Sequence, residues 1–103
     1  MRTIRALADQ IAREFNPDEI ILFGSHAYGK PQAWSDVDLL VVMDTPKGEM
    51  RAILDIADSL PDLPFSVDIV VRSRTVLEKR KKLGDWFLRE ITAKGKVIYE
   101  RTR

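Results

Sequence analysis

The chain has no cysteine, a single histidine, and no uninterrupted apolar run longer than residues 39–43. Without cysteine there is no disulfide framework of the kind that staples small secreted domains. A run that short falls far below the roughly 20 apolar residues a membrane-spanning helix needs. No cationic leader followed by an apolar core opens the chain, so no secretory signal is indicated. These absences lead us to expect a cytoplasmic protein that neither spans nor sits on a membrane. Length excludes more. A chain of 103 residues makes one domain, 1–103, with a modest core and no room for a second, substrate-binding domain. Repeats and low-complexity tracts are also missing.

Charge is plentiful but unevenly placed. The net charge is only +1, yet residues 1–68 carry 6 Lys/Arg against 12 Asp/Glu and residues 69–103 carry 11 against 4. The two parts are therefore −6 and +7, a strong polarity along the chain. Much of the positive excess sits in Lys79-Arg80-Lys81-Lys82, with Arg72 and Arg74 close by. Such a run is most simply a solvated helix face. No aromatic residues interleave with it to build a single-strand platform, so direct nucleic-acid binding is not expected.

Hydrophobic periodicity gives a compact α/β alternation. Ile4, Leu7, Ala8, Ile11, Ala12 and Phe15 mark an amphipathic helix that Asn16-Pro17 ends. A strand over 19–23 follows, then a short helical turn from Ser25 to Gly29, a loop over 30–35, and a second strand over 36–43. Thr45-Pro46 reads as an N-cap with proline in the first helical position, and Met50, Ile53, Leu54, Ala57 and Leu60 as that helix's buried stripe. The prolines at 61 and 64 break it. A third strand over 65–71 puts Phe65, Val67, Ile69 and Val71 on one face and Asp68 on the other. Thr75-x-x-Glu78 reads as a capping box for a helix to Leu83, Gly84-Asp85 restarts a helix to Lys94, and Gly95 precedes a last strand over 97–99. The fold class is α/β (α+β), a small mixed sheet with helices mainly on one face. Trp86 and Phe87 are expected in the core, with a partner-facing patch as the alternative for one of them.

The chemistry concentrates in residues 20–43. An apolar run ends in Gly24-Ser25, and ten residues later Asp36-Val37-Asp38 opens the next strand. Alternate strand residues share a face, so Asp36 and Asp38 point the same way about 6–7 Å apart. Gly24 lets the backbone approach a ligand closely, and Ser25 stands where strand turns to helix, suited to a phosphate. Taken singly, Asp36, Asp38 and Asp68 are unremarkable strand acids with salt-bridge partners. Together on two strands they read as a metal site, because a divalent cation compensates what would otherwise be costly clustered charge. Ser35 reads equally as a loop cap or a nucleotide contact, and Lys30 as a solvated lysine or a triphosphate contact. His26, the only histidine, is left out of the catalytic set.

The segments Gly24-Ser25-His26-Ala27-Tyr28-Gly29 and Ser35-Asp36-Val37-Asp38-Leu39-Leu40-Val41, followed by Asp68, resemble the DNA polymerase beta-type nucleotidyltransferase superfamily. Within it the chain resembles the minimal nucleotidyltransferase (MNT) branch, MntA-like antitoxins of HEPN/MNT toxin–antitoxin pairs. The resemblance spans nearly the whole chain. It implies a nucleotidyltransferase fold, ATP as substrate, and two Mg²⁺ ions held by Asp36, Asp38 and Asp68. It further implies that Gly24 and Ser25 hold the β- and γ-phosphates, and that AMP passes to a tyrosine hydroxyl of a helical HEPN-type toxin. Assembly with that partner or with a second copy would follow. Transfer to a small molecule such as an aminoglycoside, with a partner subunit, and a non-catalytic toxin-binding module are the alternatives. Tyr28 stands where many relatives carry arginine, which removes a cationic contact to the nucleotide at that position.

Overall fold

The structure, a computed structural model, describes residues 2–30 and 36–102. Four strands form one sheet in the order β3-β2-β1-β4. They are β1 (Glu19–Phe23), β2 (Val37–Val42), β3 (Val67–Arg72) and β4 (Lys96–Glu100), with helices α1 (Arg2–Phe15), α2 (Ser25–Tyr28), α3 (Glu49–Ser59), α4 (Arg74–Lys82) and α5 (Trp86–Lys94). β1 is antiparallel to both neighbours, β2 and β4, whereas β2 and β3 are parallel. That mixture follows from connection length. Parallel neighbours require a long crossover, which α3 supplies between β2 and β3. Among the described residues, the small mixed sheet with five helices is the α+β architecture expected.

The apolar stripe of α1 packs as its spacing predicts, with Ile4, Leu7, Ala8 and Ile11 in the core. Asn16 ends it in a left-handed conformation, φ 47°, while its N–H donates to the Ala12 carbonyl at 3.0 Å. Asparagine is one of the few residues that accept such a cap, and Pro17 cannot continue the helix. Together α1 and α3 cover one face of the sheet, meeting Ile20, Leu22, Val37, Leu39, Val41 and Val71.

The opposite face has a layer of its own. Leu77 of α4 and Leu88 and Ile91 of α5 bury against Ile21, Phe23, Leu40 and Val42. The two longest helices do share one face, as expected, but the shorter pair encloses the face that carries Asp38. Burying each of these leucines contributes about 2 kcal/mol. The continuous apolar runs of β1 and β2 are the trace of this arrangement, since a strand covered on both sides has no polar face to alternate with.

Three local expectations are corrected. Thr45-Pro46 does not cap α3. Those residues form a turn in which the Gly48 N–H donates to the Thr45 carbonyl at 2.9 Å, and the helix starts at Glu49 after Gly48 at φ 93°. The buried positions of α3 are Ala52 and Ile56, with Ile53 half-buried, while Met50 and Leu54 are 66% and 47% exposed. Ile53 belongs to both possible stripes. The β-branched pair Ile53 and Ile56 meets the sheet, and that rolls Met50 and Leu54 outward. Finally, α4 is capped by Ser73, whose hydroxyl accepts from the Val76 N–H at 3.2 Å, two residues before the expected Thr75. The helix expected to restart at Gly84-Asp85 is α5, and Asp85 caps it, accepting from the Leu88 N–H at 3.1 Å.

Candidate active site

The sheet brings Asp38 and Asp68 side by side. They are register partners on the parallel strands β2 and β3. Alternation places Asp38 on the face of Leu40 and Val42, opposite Val37 and Leu39, and Asp68 opposite Val67 and Ile69, which pack into the first core. Asp36, exposed, lies just before β2. The Asp38 carboxyl is raised above its ordinary value, first by burial, then by the charge of Asp68, a side-chain hydrogen bond with Asp68, and the charge of Asp36. His26 opposes the rise through its own charge. Asp68 and Asp36, singled out together with Asp38 by their spacing, thus both act on the Asp38 carboxyl. Asp38 and Asp68 are in direct contact, and Asp36 stands within electrostatic range.

Gly24 completes this corner. It follows Phe23, the residue paired with Asp38 across the antiparallel β1–β2 ladder. Its backbone lies at φ 76°, ψ −157°, a region essentially reserved for glycine. A Cβ built there would fall 2.2 Å from Oδ2 of Asp38. Gly24 therefore leaves the space the Asp38 carboxylate occupies, a role distinct from the phosphate approach its position suggests. Beyond it the chain turns directly into α2, where the N–H groups of Ala27 and Tyr28 donate to the Gly24 carbonyl at 3.0 and 3.1 Å. The first amides of such a turn have no carbonyl within the helix to bond. Ser25, partly buried, begins the turn. Ser35 lies outside the described residues.

Among the described residues, no group of three or more His, Asp or Glu side chains is disposed as a ready-made metal cage. The donors that do meet still suit a hard divalent cation. Contacting carboxylates that repel one another, beside a glycine that leaves an oxygen uncrowded, offer the oxygen ligands Mg²⁺ prefers and a charge deficit it would relieve. Two cavities lined by described residues lie away from this corner. One of about 240 Å³ is lined by Phe15, Met43, Thr45, Arg51 and Asp55, at the other end of β2 from Asp38. Another, at the α4–α5 turn, is lined by Arg80, Leu83, Gly84 and Asp85.

Aromatic residues were placed wrongly by sequence reasoning. Trp86 is 71% and Phe87 40% exposed, so neither is the core residue expected. Phe87 instead stands edge-on to Phe23, centroids 5.8 Å apart, next to the acid site. The available signal was Asp85, whose cap sets where α5 begins and therefore which side of its first turn faces out.

A family model described as "Nucleotidyltransferase domain" matches residues 4–99. In solved structures, the fold is similar to that of a protein from Sulfolobus solfataricus assigned as a nucleotidyltransferase, with a TM-score of 0.67 and 18% identity. The match covers 97% of this chain and 79% of that one. No curated protein sequence matches significantly. Among the described residues, no helix is long and apolar enough to cross a membrane.

Proposed function

We propose that this chain, which belongs to the nucleotidyltransferase domain family, transfers AMP from ATP to an acceptor hydroxyl with release of pyrophosphate. We further propose that the hydroxyl belongs to a tyrosine of a helical HEPN-type toxin, which the chain neutralises as its antitoxin. The observation that carries the transferase reading is the contact of Asp38 and Asp68 across β2 and β3, with Gly24 leaving room at Asp38 Oδ2. Asp36, Asp38 and Asp68 are the residues that would hold Mg²⁺. Two such ions would supply charge neutralisation for the entering and leaving oxygens of an in-line displacement. Asp68, exposed on the edge strand β3, would take the proton of an arriving hydroxyl. Asp38, half-buried and paired with it, keeps the two carboxylates on one face. Gly24 and Ser25, at the turn into α2, are the phosphate-facing residues of this reading.

The toxin partner and the choice of ATP rest on the resemblance of the Gly-Ser and Asp-x-Asp segments to the MNT branch. The exposed Met50 and Leu54 on α3 are compatible with a protein partner and favour a second reading, neutralisation by binding alone. One experiment separates the two. The chain is purified together with the helical protein encoded beside it, and the intact mass of both is followed with ATP and Mg²⁺. The partner is expected to gain AMP units, and the double variant Asp36→Asn/Asp38→Asn to neutralise it only at stoichiometric ratio. A partner that never gains mass, neutralised equally by wild type and variant at every ratio, would leave the binding module standing and the enzyme refuted.

A further inference from the structure

A row of side chains crosses the acid-bearing face from one strand to the next. Asp68, Asp38 and Phe23 are successive register neighbours on β3, β2 and β1. Directly opposed Cβ atoms in an antiparallel pair stand about 4.5–5.5 Å apart, so the Phe23 side chain starts immediately beside Asp38. The row continues into α5. Phe87 meets Phe23 edge-on, centroids 5.8 Å apart at 86°, and Trp86 meets Phe87 edge-on at 6.5 Å and 82°. Exposure climbs along it, from 7% at Phe23 to 40% at Phe87 and 71% at Trp86. A buried anchor therefore carries two aromatic rings out from the carboxylates into solvent.

The ledge is held in place. Asp85 caps α5 and also accepts from Arg80 Nε at 3.1 Å, which ties the helix start to the end of α4. Folding alone gives no reason to hold an indole so exposed, since turning it inward would bury a large apolar surface. Its neighbourhood is cationic, because α4 ends in Lys79, Arg80, Lys81 and Lys82, and such a field draws polyphosphate anions toward the face. The single Phe23–Phe87 step of 5.8 Å is of the order by which a ribose separates a base from its α-phosphate.

We infer that Phe87 and Trp86 form an aromatic ledge for the base of the nucleotide whose phosphates sit at the Asp38–Gly24 corner, the base stacking on the face of one ring and meeting the edge of the other, and that purines are preferred over pyrimidines. Stacking is tolerant of base identity because every base offers a π face, and the larger purine ring covers more of the ledge. This inference rests on the nucleotidyl-transfer reading and names the base site that reading leaves open.

The test is equilibrium binding, independent of any acceptor. Trp34→Phe leaves Trp86 as the only indole in the chain, and its emission is followed during titration with MgATP, MgCTP and magnesium tripolyphosphate, with calorimetry for the affinities. ATP is expected to quench Trp86 and to bind more tightly than CTP, whereas tripolyphosphate binds without moving the emission. Phe87→Leu and Trp86→Ala, the latter by calorimetry, are each expected to weaken ATP about 10-fold while leaving tripolyphosphate affinity unchanged. Ledge variants that bind ATP as tightly as wild type would overturn the ledge and leave the transfer reading intact. So would equal losses for ATP and tripolyphosphate, which would mark a structural role. Wild-type protein that binds neither ligand would overturn the transfer reading and the ledge with it.

Discussion

Replacing Gly24 by alanine adds one methyl group and should cost about 2–4 kcal/mol of stability, far beyond what an ordinary turn glycine would lose. Two independent terms make up that figure. The backbone at φ 76°, ψ −157° is in the region only glycine visits freely, and holding an L-residue there costs roughly 1–3 kcal/mol. The added Cβ would also lie 2.2 Å from Oδ2 and 3.1 Å from Cγ of Asp38, so the carboxylate must swing off its rotamer at about 0.5–1.5 kcal/mol. The assay is urea unfolding followed by circular dichroism, in which a loss of this size lowers the midpoint by about 1–4 M if the slope is near 1–2 kcal/mol/M and unchanged. The cycle with Asp38→Ala separates the terms. With the carboxylate gone the contact term vanishes and the backbone term stays, so Gly24→Ala should cost about 0.5–1.5 kcal/mol less in that background. A single-variant cost below about 0.5 kcal/mol would refute the backbone argument. An equal cost in both backgrounds would show that Asp38 does not occupy the space in front of Gly24. Gly24→Val adds two further methyl groups to the same conflict and should lose more activity, at matched folded protein, than Ser25→Ala.

Asp38→Asn should abolish nucleotidyl transfer while stabilising the metal-free protein at neutral pH. Because burial and Asp68 raise the Asp38 carboxyl, wild type carries no penalty below the ordinary carboxylate range and acquires it as pH climbs through the raised pKa. Unfolding at pH 3.5 and pH 7 should therefore show the advantage of the variant only at the higher pH, and an advantage of equal size at both would defeat this account. Magnesium should raise the neutral-pH melting temperature of wild type and move that of Asp38→Asn far less. Ser73→Ala should cost about 1 kcal/mol through the lost cap of α4, with Thr75→Ala near neutral; the reverse order in urea melts would return the cap to Thr75. Gly95→Ala should cost about 1–3 kcal/mol, because its Cβ would sit 2.5 Å from the Ile91 carbonyl oxygen and 2.6 Å from Ile21 Cγ2, and a neutral effect would mean that α5 docks on β1 more loosely than described.

What could be read from the residues alone was local and periodic. The stripe of Ile4, Leu7, Ala8 and Ile11 specified α1, and the bounds of β1 emerge as the apolar run predicts. Asp68 was legible as a lone charge in an alternating strand, and Asp36 and Asp38 as two acids sharing a face, because a strand's period of two assigns faces without knowledge of any neighbour. The tertiary structure alone decided which strands adjoin. Only the parallel β2–β3 register places Asp38 beside Asp68, and only the β1–β2 register sets Phe23 and the glycine after it against the same carboxylate. It also decided burial where two stripes competed, turning Ala52 and Ile56 inward and leaving Met50 exposed. The docking of α5 carried Trp86 and Phe87 out of the core, to the edge of the candidate site. A side chain's periodicity belongs to its own segment, whereas its burial, its partner and the shift in its pKa belong to whatever the fold packs against it.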